Sequence, residues 1–232
     1  MNIKAISNQQ FSANNNDNKK SLRACVTATT ALGVATALAC IAKKQGFSLN
    51  PSKIAKTPIK DWAIFKMGPK QLNLEQWEFA GVAAGSVGGG LLGGLLFDRK
   101  ENFTAKAREA VNQVVGNIGM PLAFVALTAK QFKNSSPLIK VIATIVSLTA
   151  GIFAGNEVAN FMNEKIYKAQ VHRGVKGTDF APHVDDLSLA LTLMSEKGSI
   201  LAGIVSKLAP VAMCMPGIEI GITQKGRYDK KA

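Results

Sequence analysis

The chain holds two histidines, His172 and His183, and neither has a cysteine or a second histidine at metal-ligand spacing. The run "HVDD", His183–Asp186, puts an imidazole beside two carboxylates. An aspartate capping a helix after Pro182 accounts for it more simply than a metal does. Gly88, Gly90 and Gly93 fit the dinucleotide pattern GxGxxG, but that pattern needs a strand before it, a helix after it and an acid about 20 residues on. The preceding "WEFAGVAAG" is too poor in β-branched residues to be that strand. No GxSxG, HExxH or P-loop is present. The sequence predicts no catalytic residue, no cofactor and no metal site, and so no enzyme.

Three other ionisable groups stand in or beside apolar sequence: Glu157, Lys207 and Glu219. Charge in lipid is costly and is kept where it is used, so the three form a candidate ion path. Lys207 and Glu219 are 12 residues apart, ~18 Å along a straight helix, too far to pair. Glu157 with Lys207 is the conceivable pair across helices. The plainer expectation puts Glu157 at the water boundary on a polar stripe and lets Lys207 snorkel.

The elements that carry these residues are uncharged runs. Residues 24–42, 79–97 and 110–129 are free of Asp, Glu, Lys and Arg over 19, 19 and 20 positions. A fourth, 141–156, reaches comparable length from residue 138 if Lys140 snorkels. About 20 helical residues cross a hydrocarbon core. The third run is the least apolar, with Asn112, Gln113 and Asn117, and Pro121 predicts a kink in it.

"GVAAGSVGGGLLGGLLF", Gly81 to Phe97, holds seven of the 21 glycines. A flexible linker would carry polar filler, and here the filler is Val and Leu. Gly81, Gly85, Gly89 and Gly93 recur every four residues, and Gly90 and Gly94 repeat the spacing. Nearly opposite them on a helix stand Ala83, Val87, Leu91 and Leu95. In water, each glycine would cost ~0.8–1 kcal/mol against alanine. In hydrocarbon the backbone has no other hydrogen-bond partner, so the helix persists. An Asn73–Gln76 capping box, Trp77 at the interface and Arg99-Lys100 at the far end bound a helix over Leu74–Phe97. The pattern resembles the glycine-zipper motif of many membrane proteins, which implies close packing and no activity. Gly151 and Gly155 offer it a matching surface.

Residues 1–20 are Asn-rich without apolar period, which predicts a disordered polar tail. Ser52–Lys70 alternates Lys with Ile54, Ile59, Trp62 and Phe65, as either an interfacial amphipathic segment or a polar loop would. Asn156, Asn160, Asn163 and Glu164 recur at helical spacing, so the fourth helix is expected to emerge into water on that face. The C-terminal segment 186–222 is apolar but broken by Pro210 and Pro216. "ALAC", Ala37–Cys40, invites signal processing or lipidation at Cys40, but the apolar run continues to Ala42 and an uncleaved anchor is expected. Cys25, Cys40 and Cys214 make no CxxC pair and no disulfide framework.

Together these features predict an all-α fold: a multi-pass membrane helical bundle of four or five helices with a glycine-zipper helix. It occupies 21–223 and ends in a basic tail, 224–232. The net charge of +13 is spread through the segments between runs and reads as flanking charge, so no nucleic-acid partner is expected. The expected partners are the lipid bilayer and, through the glycine face, a second copy or a membrane partner helix. The expected role is structural or an interaction. The alternative is a small transporter or pore using Glu157, Lys207 and Glu219. A weaker alternative is a peripheral basic protein on anionic lipid or nucleic acid.

Overall fold

The structure, a computed structural model, describes residues 3–62, 72, 74, 76–169, 172–184 and 207–225, with backbone alone over 3–17, 60 and 76. Among these the chain is all-α. Helix α1 spans Ile3–Lys44 and α2 Pro51–Lys56; α3 spans Gln76–Phe97. Helix α4, Phe103–Val111, continues through a π-helical stretch, Asn112–Gly119, into α5, Met120–Gln131. Helix α6 spans Pro137–Tyr167. A short helical stretch, 207–212, precedes α7, Met215–Ile222. Among the described residues four lengths are apolar enough to cross a bilayer: Asn18–Lys44, Trp77–Phe97, Lys100–Gln131 and Pro137–Tyr167, of 21 to 32 residues. The chain is a multi-pass integral membrane protein.

Helix α1 buries Leu22, Val26, Thr30, Val34, Leu38 and Ala42, one row of residues four apart. That row and its small neighbours face α3, which runs antiparallel to α1. A Cβ on Gly85 would lie 2.6 Å from the Gly33 carbonyl oxygen, and one on Gly89 would lie 2.5 Å from that of Thr29. One on Gly93 would strike the Thr29 hydroxyl. The backbones approach where Thr29, Gly33 and Ala37 on α1 meet the glycines of α3, contact that side chains would prevent. Gly81 lies above this region with no neighbouring atom within 4 Å.

The other glycines of α3 serve a second partner. Gly90 and Gly94 pack against Gly217 and Gly221 of α7, which runs parallel to α3. The Gly217 N–H donates to Ser86 Oγ at 3.1 Å, a bond between residues 131 positions apart. Helix α3 is therefore held between α1 and α7. Gly88, Gly90 and Gly93 lie mid-helix, which removes the strand–loop–helix context of nucleotide binding.

Several expectations are corrected here. Gly151 and Gly155 do not meet α3. A Cβ on Gly151 would lie 2.6 Å from Pro121 Cα, and one on Gly155 would clash with the Gly116 carbonyl. The turn 132–136 joins α5 and α6 into an antiparallel hairpin, and both glycine faces of α3 are already covered. The Asn-rich segment expected as a disordered tail continues α1 from Ile3; it has no Pro or Gly before Gly33 to break a helix. Helix α3 begins at Gln76 rather than Leu74. Pro121 follows a π-helical stretch. Helix α2 buries none of its residues, and Asn50 caps it by accepting from the Ser52 N–H at 2.9 Å. The Asn73 cap, the caps at Asp185 and Asp186, all of 186–206 and the tail from 226 lie outside the described residues.

Leucine at Gly85 should lower the melting temperature of the purified protein in detergent sharply, because the added side chain meets backbone. Leucine at Gly81 should leave it unchanged. Thermally induced labelling of the buried Cys214 thiol, with Cys25 and Cys40 replaced by Ser, reads both. Equal melting of the two variants would show that α1 does not cover the glycine row.

Candidate functional site

The polar groups of the third span form a stripe: Lys106, Glu109, Gln113 and Asn117, spaced three, four and four apart on one helix face. All four are buried, Glu109 and Asn117 completely. Ionisable and amide side chains inside a bilayer-length helix need partners close by. Along the stripe they supply each other: Gln113 donates to Glu109 Oε1 at 2.9 Å, and Asn117 Nδ2 donates to Gln113 Oε1 at 2.8 Å.

The remaining partners come from the segment after α6. Lys168 leaves α6 in the left-handed region, φ 52°. Beyond it, residues 172–176 have no regular secondary structure, with Lys176 extended, and Gly177–His183 forms a 3₁₀ helix. Arg173 is buried between two carboxylates. Its Nε donates to Glu109 Oε1 at 3.1 Å, and Nη1 and Nη2 bond both oxygens of Asp179 at 2.8 and 2.6 Å. This forked geometry is the strong form of an arginine–carboxylate pair. Asp179 also accepts from Asn117 Nδ2 and from the Lys176 N–H, each at 2.7 Å. Burial opposes charge on Asp179, which belongs to none of the spanning helices. The Arg173 guanidinium and these two donors outweigh it and hold the carboxyl below its usual range.

His183 completes the cluster. Its ring stacks on Phe79 of α3 with centroids 5.7 Å apart, and its Nε2 lies 2.7 Å from the Asn117 carbonyl. A carbonyl only accepts, so Nε2 carries the proton. In a regular α-helix that carbonyl would accept from residue 121, which is Pro121 and has no N–H. The histidine thus supplies the donor that the proline withholds. Phe79 and Asn117 both lie within helices apolar enough to span, so the irregular segment packs directly against two of them.

Helix α6 supports this segment with the asparagines expected to face water, and that expectation is corrected. Asn156 and Asn160 are buried, and both donate to the Arg173 carbonyl, at 2.8 and 2.9 Å. Asn160 Oδ1 accepts the Arg173 N–H at 2.9 Å, and Asn163 Nδ2 donates to the Arg108 carbonyl at 3.2 Å. An apolar–polar period on a helix marks a polar neighbour, and here the neighbour is backbone rather than water.

A second ionic contact closes the end of the bundle. Lys106 is 1 % exposed and pairs with Asp98 at 2.7 Å. It also donates to the carbonyls of Gly221 and Thr223, which terminate α7. A cation at the last carbonyls of a helix is favourable both as a cap and against the helix dipole.

The proposed ion-path residues do not converge. Glu157 and Lys207 are exposed. Glu219 lies 3.5 Å from Lys176 rather than beside Lys207. Glu157 does line a surface cleft with Asn156, Asn160, His172, Arg173 and Lys176. His172 faces Glu164 at 3.8 Å, both exposed. Sequence reasoning missed Lys106, Glu109, Arg173 and Asp179, because each was counted as flanking or loop charge. The three-, four- and four-residue spacing of the stripe was the signal available.

Replacing Arg173 with Met strands two buried carboxylates and should destabilise the protein by about 3–5 kcal/mol. Adding Glu109→Gln and Asp179→Asn should recover most of that loss, since the isolated charges go with it. Denaturation in detergent, followed by Cys214 labelling, measures both steps. A single variant as stable as the parent would mean the triad does not hold the segment.

No family model matches the chain, and comparison with curated proteins and with solved structures finds no match. The functional reading therefore rests on the geometry of a multi-pass membrane protein whose buried charges are paired.

Proposed function

We propose that the protein has a structural role in the membrane, as a bundle held in one arrangement that presents lipid-facing sides and charged ends to its surroundings. The carrying observation is the pairing of its buried charges across long sequence separations. Arg173 reaches Glu109, 64 residues away, and Lys106 reaches the carbonyl of Thr223, 117 away. Buried, paired charge works as a fastener between segments. The α3 glycines read as a glycine-zipper surface turned inward: α1 and α7 occupy the faces first assigned to self-association. Exposed Leu127, Ile142, Val146, Phe153 and Phe161 suit lipid contact. A partner helix would be seated on these sides.

A second reading, a small transporter or pore, has the Glu157 cleft in its favour, because Arg173 forms part of its wall. A solute entering there would reach charges that must separate for passage.

Reconstitution into sealed vesicles distinguishes the two. Under the structural reading, Asp179→Asn lowers the melting temperature, and Glu157→Gln changes neither melting nor proton and cation leak. A measurable flux in the parent that collapses in Glu157→Gln, with melting unchanged, would overturn it in favour of transport.

A further inference from the structure

The start of the α1 span, the end of α3 and the chain after α7 meet at one end of the bundle. Between them lies a cleft of about 690 Å³ whose walls include Lys19, Leu22, Leu96, Phe97, Arg99 and Lys225. Its chemistry is divided. Leu96 and Phe97 are exposed apolar side chains, 70 % and 53 % accessible, at the last positions of a spanning helix. Immediately beyond them stand Arg99 and Lys100, and across the cleft stands Lys19. Lys20 and Arg23 line the adjoining groove with Ile222 and Gln224.

Two acids, Asp98 and Glu101, share the cleft wall, and each faces a cation. Asp98 is paired with Lys106 and accepts from Asn102 Nδ2 at 3.1 Å. Glu101 lies 3.5 Å from Arg99, whose side chain is nonetheless 79 % exposed. Lys225 is fixed in place by its backbone N–H, which donates to Asn102 Oδ1 at 3.1 Å. Cations on a backbone-anchored rim, directly above an apolar wall, match a phosphate joined to acyl chains.

We propose that this cleft binds the phosphate headgroup of an anionic phospholipid, with Lys19, Arg99 and Lys225 around the phosphate and an acyl chain along Leu96 and Phe97. A soluble phosphate would use the cations and leave the apolar wall bare. A lipid uses both, and the wall stands at the depth where acyl chains begin.

The test uses the full chain with Trp62 and Trp77 replaced by Phe and with Phe97→Trp as reporter. It is reconstituted in phosphatidylcholine vesicles containing brominated phosphatidylglycerol or, at equal mole fraction, brominated phosphatidylcholine. The expected result is quenching that favours the anionic lipid by about fivefold or more, the effect of a single cation at a membrane surface. Lys19→Gln, Arg99→Gln and Lys225→Gln together should abolish that preference. Lys130→Gln, Lys133→Gln and Lys140→Gln, at the opposite end, should leave it intact. Equal quenching by the two lipids in the reporter protein overturns the proposal without reference to any charge variant. So does a preference that survives the first triple replacement, or one lost equally in the second. Relief of quenching by soluble glycerol phosphate would assign the site to free phosphate instead.

Discussion

Buried polar backbone must find its partners within the protein, and residues 172–183 pack non-helical backbone against two helices long and apolar enough to cross a bilayer. The surrounding structure follows from that constraint. Asn156 and Asn160 of α6 bond both backbone groups of Arg173. The Arg173 side chain then needs carboxylates, which Asp179 and Glu109 supply. Asn117 bonds Asp179 with its side chain and offers His183 the carbonyl that Pro121 leaves open. Irregular backbone is tolerated in a membrane where protein groups satisfy it, and here one helix face on each side does so.

The bundle therefore divides its means of cohesion. Helices α1, α3 and α7 meet through glycine, alanine, serine and threonine, where close approach yields dispersion contact between backbones. Helices α4 and α6 meet the irregular segment through amides and charges. Lys106 joins the two halves, reaching from the polar stripe of α4 to the end of α7. Lipid tails are as apolar as the helices, so hydrophobic burial alone would not select these neighbours.

Much of the secondary structure was legible because it depends on local properties. Charge-free runs of bilayer length are visible residue by residue, and the glycine period marks a helix face whatever covers it. Pairing was not legible, since small-residue rows recur in α1, α3, α6 and α7, and each could seat any other. Thr29, Gly33 and Ala37 carry no conspicuous signature, yet they face the glycines of α3. The asparagine row of α6 shows the other limit. Periodicity reports that one side of a helix has polar surroundings, and water and a buried backbone segment look identical to it. Arg173 was unreadable for a related reason: a charge in a loop carries no mark of where the loop goes.

The position of α7 has a consequence for biosynthesis. Gly217 and Gly221 fill the cleft between α1 and α3, and Lys106 grips the carbonyls that follow them. These residues follow α1 to α6 in the order of synthesis. Until then, the α1–α3 pair must wait in the bilayer with an open seam of bare backbone along Ser86, Gly90 and Gly94, and Lys106 must wait without its final acceptors. Assembly of this bundle is closed by α7, so a chain stopped a few residues short of Met215 would insert and yet lack the helix that fills the seam.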